Sequence, residues 1–152
     1  MSTRTANDTT LRIERVIAAT PERLFTLWSE PEELVKWWGP EGYTTPAQTM
    51  DVRPGGRWRT TMQSPAGTKH TVSGIYRAIE PPKRLVFTWG WDDDAGLRSH
   101  ETEITVTFEP TTGGTRMVLV QQNFADKDSR GRHEHGWSSS FVCLEREALR
   151  AA

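Results

Sequence analysis

Hydrophobic and polar positions along the 152-residue chain change period three times, and the changes divide it into four parts. Residues 11–18 (LRIERVIA) alternate apolar with charged side chains, the pattern of a strand with one buried face, through Leu11, Ile13 and, after a change of phase, Val16. A helix start follows at Thr20-Pro21-Glu22-Arg23, with Thr20 as N-cap, Pro21 at the first helical position and Arg23 where a capping box prefers Glu or Gln. Leu24, Phe25 and Trp28 supply its apolar stripe. Glu30 to Val35 predicts a second short helix, which runs into Trp37-Trp38 and stops at Gly39-Pro40. Beyond it the period becomes two. Alternating runs at 48–53, 57–63, 70–79, 84–91, 102–108 and 115–122 are separated by turn signals such as Pro54-Gly55-Gly56, Pro81-Pro82 and the stretch from Asp92 to Gly96. Consecutive strands with short connections predict an antiparallel meander. From about His133 the spacing turns helical again, with Trp137, Phe141, Leu144 and Ala148 on one face.

A helix from His133 onward spans about 30 Å at roughly 1.5 Å per residue, comparable to the width of a seven-stranded sheet. Its apolar stripe has one large partner in the chain, the apolar face of that sheet. The predicted fold is therefore α+β: a curved seven-stranded antiparallel sheet wrapped around a long C-terminal helix, with two short helices after the first strand. Alternation also assigns the inward side chains. In the run KRLVFTWGWDDD (83–94), Phe87, Trp89 and Trp91 share one face. Their neighbours on that face are Trp58, Thr60 and Met62, then Val72, Gly74 and Tyr76, then His100, Thr102, Ile104, Val106 and Phe108, then Met117, Leu119 and Gln121. Trp137, Phe141 and Leu144 face them from the helix.

Composition adds one oddity and several exclusions. Seven tryptophans in 152 residues need a structural home, and the gap between sheet and helix is the candidate. The 19 basic and 20 acidic residues are intermixed, for a formal net charge of -1, so nothing marks a nucleic-acid or anionic-membrane surface. No apolar run nears the roughly 20 residues of a membrane span, and MSTRTANDTT lacks the apolar segment of a secretory leader. A cytoplasmic location is the expectation, with residues 1–10 a flexible segment ahead of a single domain over 11–152. One cysteine, Cys143, excludes an internal disulfide and a multi-cysteine zinc site. Asp92-Asp93-Asp94 lacks the ligand spacing of a calcium loop, and His133-Glu134-His135 places its imidazoles about 200° apart on a helix. Ser138-Ser139-Ser140 has no strand-turn context for a nucleophile, and Pro54-Gly55-Gly56 reads as a tight turn. No metal or cofactor is expected.

Five stretches in order resemble one family: RVIAATPERLFTLWSEPEELVKWWGP (15–40), MDVRPGGRW (50–58), SGIYRAIEPPKRLVFTWGW (73–91), GGTRMVLVQQNF (113–124) and HGWSSSFVCLEREAL (135–149). They resemble the START-like or SRPBCC superfamily with its helix-grip fold, and within it the group similar to the C-terminal domain of the activator of the heat-shock-protein ATPase. The resemblance implies a concave sheet gripping the C-terminal helix around an elongated apolar cavity. It also implies several possible uses, since relatives include binders, cyclases, hydrolases and co-chaperone modules on one scaffold. Relatives commonly carry a histidine at the end of the seventh strand; this chain has Gln121 there.

Ligand-binding residues expected from the inward face are Trp38, Trp58, Met62, Tyr76, Phe87, Trp89, Trp91, His100, Thr102, Gln121, Trp137 and Phe141. Among these the polar groups are informative, because a buried one without a partner costs about 1 to 3 kcal/mol. Tyr76, His100, Thr102 and Gln121 either orient a mostly apolar ligand or bond to one another. Three readings follow. The leading one is a binder of an apolar or aromatic small molecule, lipid-like or polyketide-like. The second is a cyclase, dehydratase or hydrolase using His100, Tyr76 or an inward carboxylate. The third is a co-chaperone-like interaction module with an exposed apolar patch around Trp37 and Trp38. A homodimer through an edge strand stays open alongside them.

Overall fold

Strand β1 (Thr10–Ile17) leads into helices α1 (Pro21–Ser29) and α2 (Pro31–Leu34). Strands β2 (Thr44–Met50), β3 (Arg57–Gln63), β4 (Lys69–Glu80), β5 (Arg84–Trp91), β6 (Thr102–Thr111) and β7 (Gly114–Gln122) then precede helix α3 (Lys127–Ala148). The computed structural model describes residues 9–92 and 100–150. Residues 1–8 of the expected flexible start and most of the acidic turn after Trp91 lie outside the described residues, while Thr10, the last residue of that start, opens β1 opposite Gln122. Every strand pairing is antiparallel, and the sheet order is β1-β7-β6-β5-β4-β3-β2. The meander thus runs from β7 to β2, and β1 closes it by pairing along β7, with Ile13 opposite Leu119.

Side chains expected to face inward on β3 to β7 do so. Trp58, Thr60 and Met62, Val72 and Tyr76, Phe87 and Trp89, Thr102, Ile104, Val106 and Phe108, and Met117, Leu119 and Gln121 are all buried, while Trp91 is partly buried. On β1 the expected change of phase does not occur. Leu11, Ile13 and Ile17 share one parity and are buried, whereas Val16 is 52% exposed. Strand β2 also differs from expectation, beginning at Thr44 rather than Gln48 and ending before Asp51. It is an edge strand, mostly exposed, with Pro46 inside it and a register shift between Thr44 and Ala47, so it carries no clean alternation. At Gly74, across from Trp58, a Cβ would stand 1.8 Å from the Thr88 carbonyl oxygen. Only glycine permits that approach, and it leaves the inner face free for the Trp58 indole.

Helix α1 starts as expected. The Thr20 hydroxyl accepts from the Arg23 N–H at 3.1 Å and Pro21 occupies the first turn. Arg23, at the position where a capping box wants a carboxylate, instead ties three helices together. Its guanidinium reaches Glu33 at 3.2 Å and donates to the Glu147 carbonyl, near the C-terminal end of α3, at 3.1 Å. A cation there complements the carbonyl end of the helix. Helix α3 begins at Lys127, earlier than expected, because the Asp126 carboxylate caps it by accepting from the Ser129 N–H at 2.8 Å. Its 22 residues extend about 33 Å. The helix backbone lies against β1 and α1. Over β3 to β5 the space between helix and sheet is bridged by large side chains. No helix among the described residues is long and apolar enough to cross a membrane.

Candidate binding cavity

All seven tryptophans enter the gap between sheet and helix, and they divide it into two ends. At one end Trp28 of α1 sits at the centre of a ring cluster. Its neighbours are Trp37 at 4.7 Å between centroids, Trp137 at 5.8 Å, Trp38 and Phe141 at 6.2 Å, and Phe87 at 6.3 Å. Tyr76 and Trp58 stand edge-on to Phe87. The void left among Trp28, Leu34, Trp58, Tyr76, Leu85 and Phe87 is about 10 Å³, space for at most one water molecule. This end is packed.

The other end is open. A cavity of about 270 Å³ lies between Met62, His70, Trp89 and Trp91 on the sheet, Trp38, Gly39, Pro40 and Tyr43 in the loop after α2, and Arg132, His133, Gly136, Trp137 and Ser140 on α3. Two glycines keep it open. Gly39 has φ +95° and lies where a Cβ would press on Met62 at 3.1 Å, and a Cβ at Gly136 would meet no atom within 4 Å. The loop at its mouth is tethered to α3: the Glu41 N–H donates to the Ser139 hydroxyl at 2.9 Å, and Arg146 donates to the Glu41 carboxylate at 2.9 Å. That ion pair holds the Glu41 carboxyl below its usual range.

His133 organises the aromatic wall. Its Nε2 accepts from the Trp91 indole N–H at 2.9 Å and, at greater length, from that of Trp89 at 3.3 Å. Its Nδ1 lies 2.8 Å from the Ser129 carbonyl oxygen. A carbonyl can only accept and an indole N–H can only donate, so the ring is neutral with its proton on Nδ1. Burial pushes its pKa down, outweighing the Ser129 carbonyl, and the Arg132 charge adds to the shift. A second chain of bonds sets the next layer. Trp137 donates to Gln121 Oε1 at 2.8 Å, Gln121 Nε2 donates to the Thr102 hydroxyl at 2.8 Å, and Thr102 donates to the Trp89 carbonyl at 3.3 Å. Gln121, fully buried, therefore positions Trp137 against β5 rather than facing the cavity.

The expected site residues separate along this boundary. Trp38, Met62, Trp89, Trp91 and Trp137 line the open cavity. Trp58, Tyr76 and Phe87 belong to the packed end, and Phe141 packs behind Trp137 on Trp28. Thr102 and Gln121 bond to each other beneath the rings. His100 is a correction: it lies on the surface before β6, exposed, with its Nε2 against the Asn123 carbonyl. Ahead of the strand, alternation no longer determines direction. Tyr76 is buried where no void holds a substrate, and burial, reinforced by the Asp51 charge, raises its pKa. Neither group named for acid or base work stands in the cavity.

Gly39, Pro40, Tyr43, His70, Arg132, His133, Gly136 and Ser140 line the cavity without having been expected there. For His133 a signal existed, since it lies one helical turn before Trp137 on the same face. The loop residues follow no period. Trp37 and Trp38, expected as an exposed patch, are 1% and 4% exposed. Among the described residues no three His, Cys, Asp or Glu side chains converge as a metal site.

A curved antiparallel sheet holding one long helix over a partly unfilled aromatic gap defines a START-like protein of the helix-grip class. The family model for Activator of Hsp90 ATPase homolog 1-like protein matches residues 18–148, and the chain belongs to that family. The AHSA1 protein of Silicibacter pomeroyi is 38% identical, with a TM-score of 0.83 over 91% of this chain and 96% of that one. A protein of Chromobacterium violaceum is 30% identical, with a TM-score of 0.82 over 94% of this chain and 99% of its own. A solution structure from Arthrobacter aurescens gives 25%, 0.83, 97% and 90% for the same measures. Among curated proteins none matches this chain.

Proposed function

We propose that this protein binds a small apolar or aromatic molecule in the open end of the sheet–helix gap. The observation that carries the reading is the cavity of about 270 Å³ walled by Trp38, Trp89, Trp91 and Trp137. Apolar walls with a few polar groups at the mouth are the usual make-up of a small-molecule site. Size narrows the class. An apolar cavity of roughly 150 Å³ encloses a benzene ring, so this one encloses about two fused rings, and a long acyl chain would protrude. Two of the polar wall groups serve the fold: both ring nitrogens of His133 are engaged, and the Ser140 hydroxyl donates to the Gly136 carbonyl. Titration with naphthol, followed by tryptophan fluorescence, tests this. One-to-one quenching that is lost in Gly136→Leu supports it, and an unchanged spectrum at saturating probe contradicts it.

A second reading, contact with a chaperone ATPase, is supported by the family description. The burial of Trp37 and Trp38 removes the patch first assigned to it. Stimulation of a purified chaperone ATPase by this protein is the measurement that decides it.

A further inference from the structure

The charges around the cavity are one-sided. Among the described residues its lining contains no Asp or Glu, while Arg132 lines it on α3 and His70 on β4. Two acids near its mouth are already paired: Glu41 with Arg146 at 2.9 Å and Asp92 with Arg59 at 3.0 Å. Arg132 is not: among the described residues it has no hydrogen bond or ion pair, not even with Asp128 one turn earlier. The Tyr43 side chain likewise makes no hydrogen bond among the described residues. The polar inventory is therefore a permanent cation with five N–H donors, a phenol and the His70 imidazole, set against a wall of indoles whose own N–H groups are spent on His133, Gln121 and Thr60. Two effects compete for the sign of a ligand's charge. Indole faces attract cations, but Arg132 repels them and, among the described residues, no carboxylate lines the site to offset it.

Resting on the binding reading above, we infer that the ligand is amphiphilic: a one- or two-ring aromatic body between Trp89, Trp91 and Trp137, with a carboxylate or similar anion at Arg132. A guanidinium suits this role because its planar fork receives two carboxylate oxygens at once. Arg132 is solvent-exposed, so its contribution is that of a screened ion pair rather than a buried one.

Three isosteric probes separate body from charge: naphthamide, naphthoate and naphthylmethylamine, titrated by tryptophan fluorescence at about pH 8, where an ordinary imidazole is neutral. The expected order is naphthoate tightest, by about two- to fivefold over naphthamide, with the amine weakest. The advantage of naphthoate shrinks as salt is added. Arg132→Gln lowers naphthoate affinity more than naphthamide affinity, so that the ratio of the two falls toward one; an unaltered melting temperature shows that the variant is folded. Equal binding of all three probes, tighter binding of the amine, or a naphthoate preference that survives Arg132→Gln overturns the inference while the binding reading stands. Failure of naphthamide and naphthoate alike to bind overturns both.

Discussion

The two ends of the sheet–helix gap are built from the same materials and come out differently. At both, alternating strand residues send rings toward α3, Trp58 and Phe87 at one end and Trp89 and Trp91 at the other. What differs is the third layer. Helices α1 and α2 insert Trp28, Leu34 and Trp37 between sheet and helix at the packed end, leaving about 10 Å³. At the open end the loop after α2 contributes Gly39 and Pro40 and the helix contributes Gly136, leaving about 270 Å³. Ring density therefore does not decide whether a gap becomes core or cavity; the presence of a filling element does.

The comparison can be broken most forcefully by truncating one tryptophan from each end. Trp28→Ala deletes the centre of a cluster that is 1% exposed and is expected to cost about 3 to 5 kcal/mol in urea unfolding. Trp91→Ala, at the partly exposed cavity wall, is expected to cost about 1 to 2 kcal/mol and to weaken naphthol binding. Similar costs at the two sites would mean that the open end is as tightly packed as the other.

A smaller effect comes from His133. Its pKa is lower in the folded protein than the ordinary value of about 6.5 in the unfolded chain. Between those two values the unfolded state binds the extra proton, so stability rises with pH there. The contribution is complete above about pH 6.5 and declines as pH falls through that value toward the folded-state pKa. Unfolding free energies at about pH 8 and about pH 5.5 should differ more for the natural protein than for His133→Phe. An equal difference in the two proteins would show that the imidazole is not held neutral by its indole partners.

Much of the fold was legible because burial of one sheet face is a local demand. Each of β3 to β7 must alternate, and Trp58, Phe87, Trp89, Thr102 and Gln121 all turned inward as that requires. The cap at Thr20 was equally local. The cavity was less legible, for three reasons. Which inward rings meet a third layer depends on how α1 and α2 fold back, which no strand period encodes. The first turns of α3 carry no apolar stripe, so its start, and with it His133 as a wall residue, was hidden behind the single capping signal of Asp126. The lip residues Gly39, Pro40 and Tyr43 lie in an irregular loop without period. Gln121 shows a further limit of pattern alone. Its inward direction was readable, but its pairing with Trp137 and Thr102, which makes it a support rather than a ligand contact, depends on positions more than a dozen residues away in either direction.

The central claim is that one end of the gap is closed by the protein and the other receives a ligand, and the indole N–H resonances report on each end separately. Spectra recorded with and without saturating naphthol should show the Trp89, Trp91 and Trp137 signals moving while those of Trp28, Trp37 and Trp58 stay in place. Movement concentrated on Trp28 and Trp58, or no movement at any of the six, would contradict it.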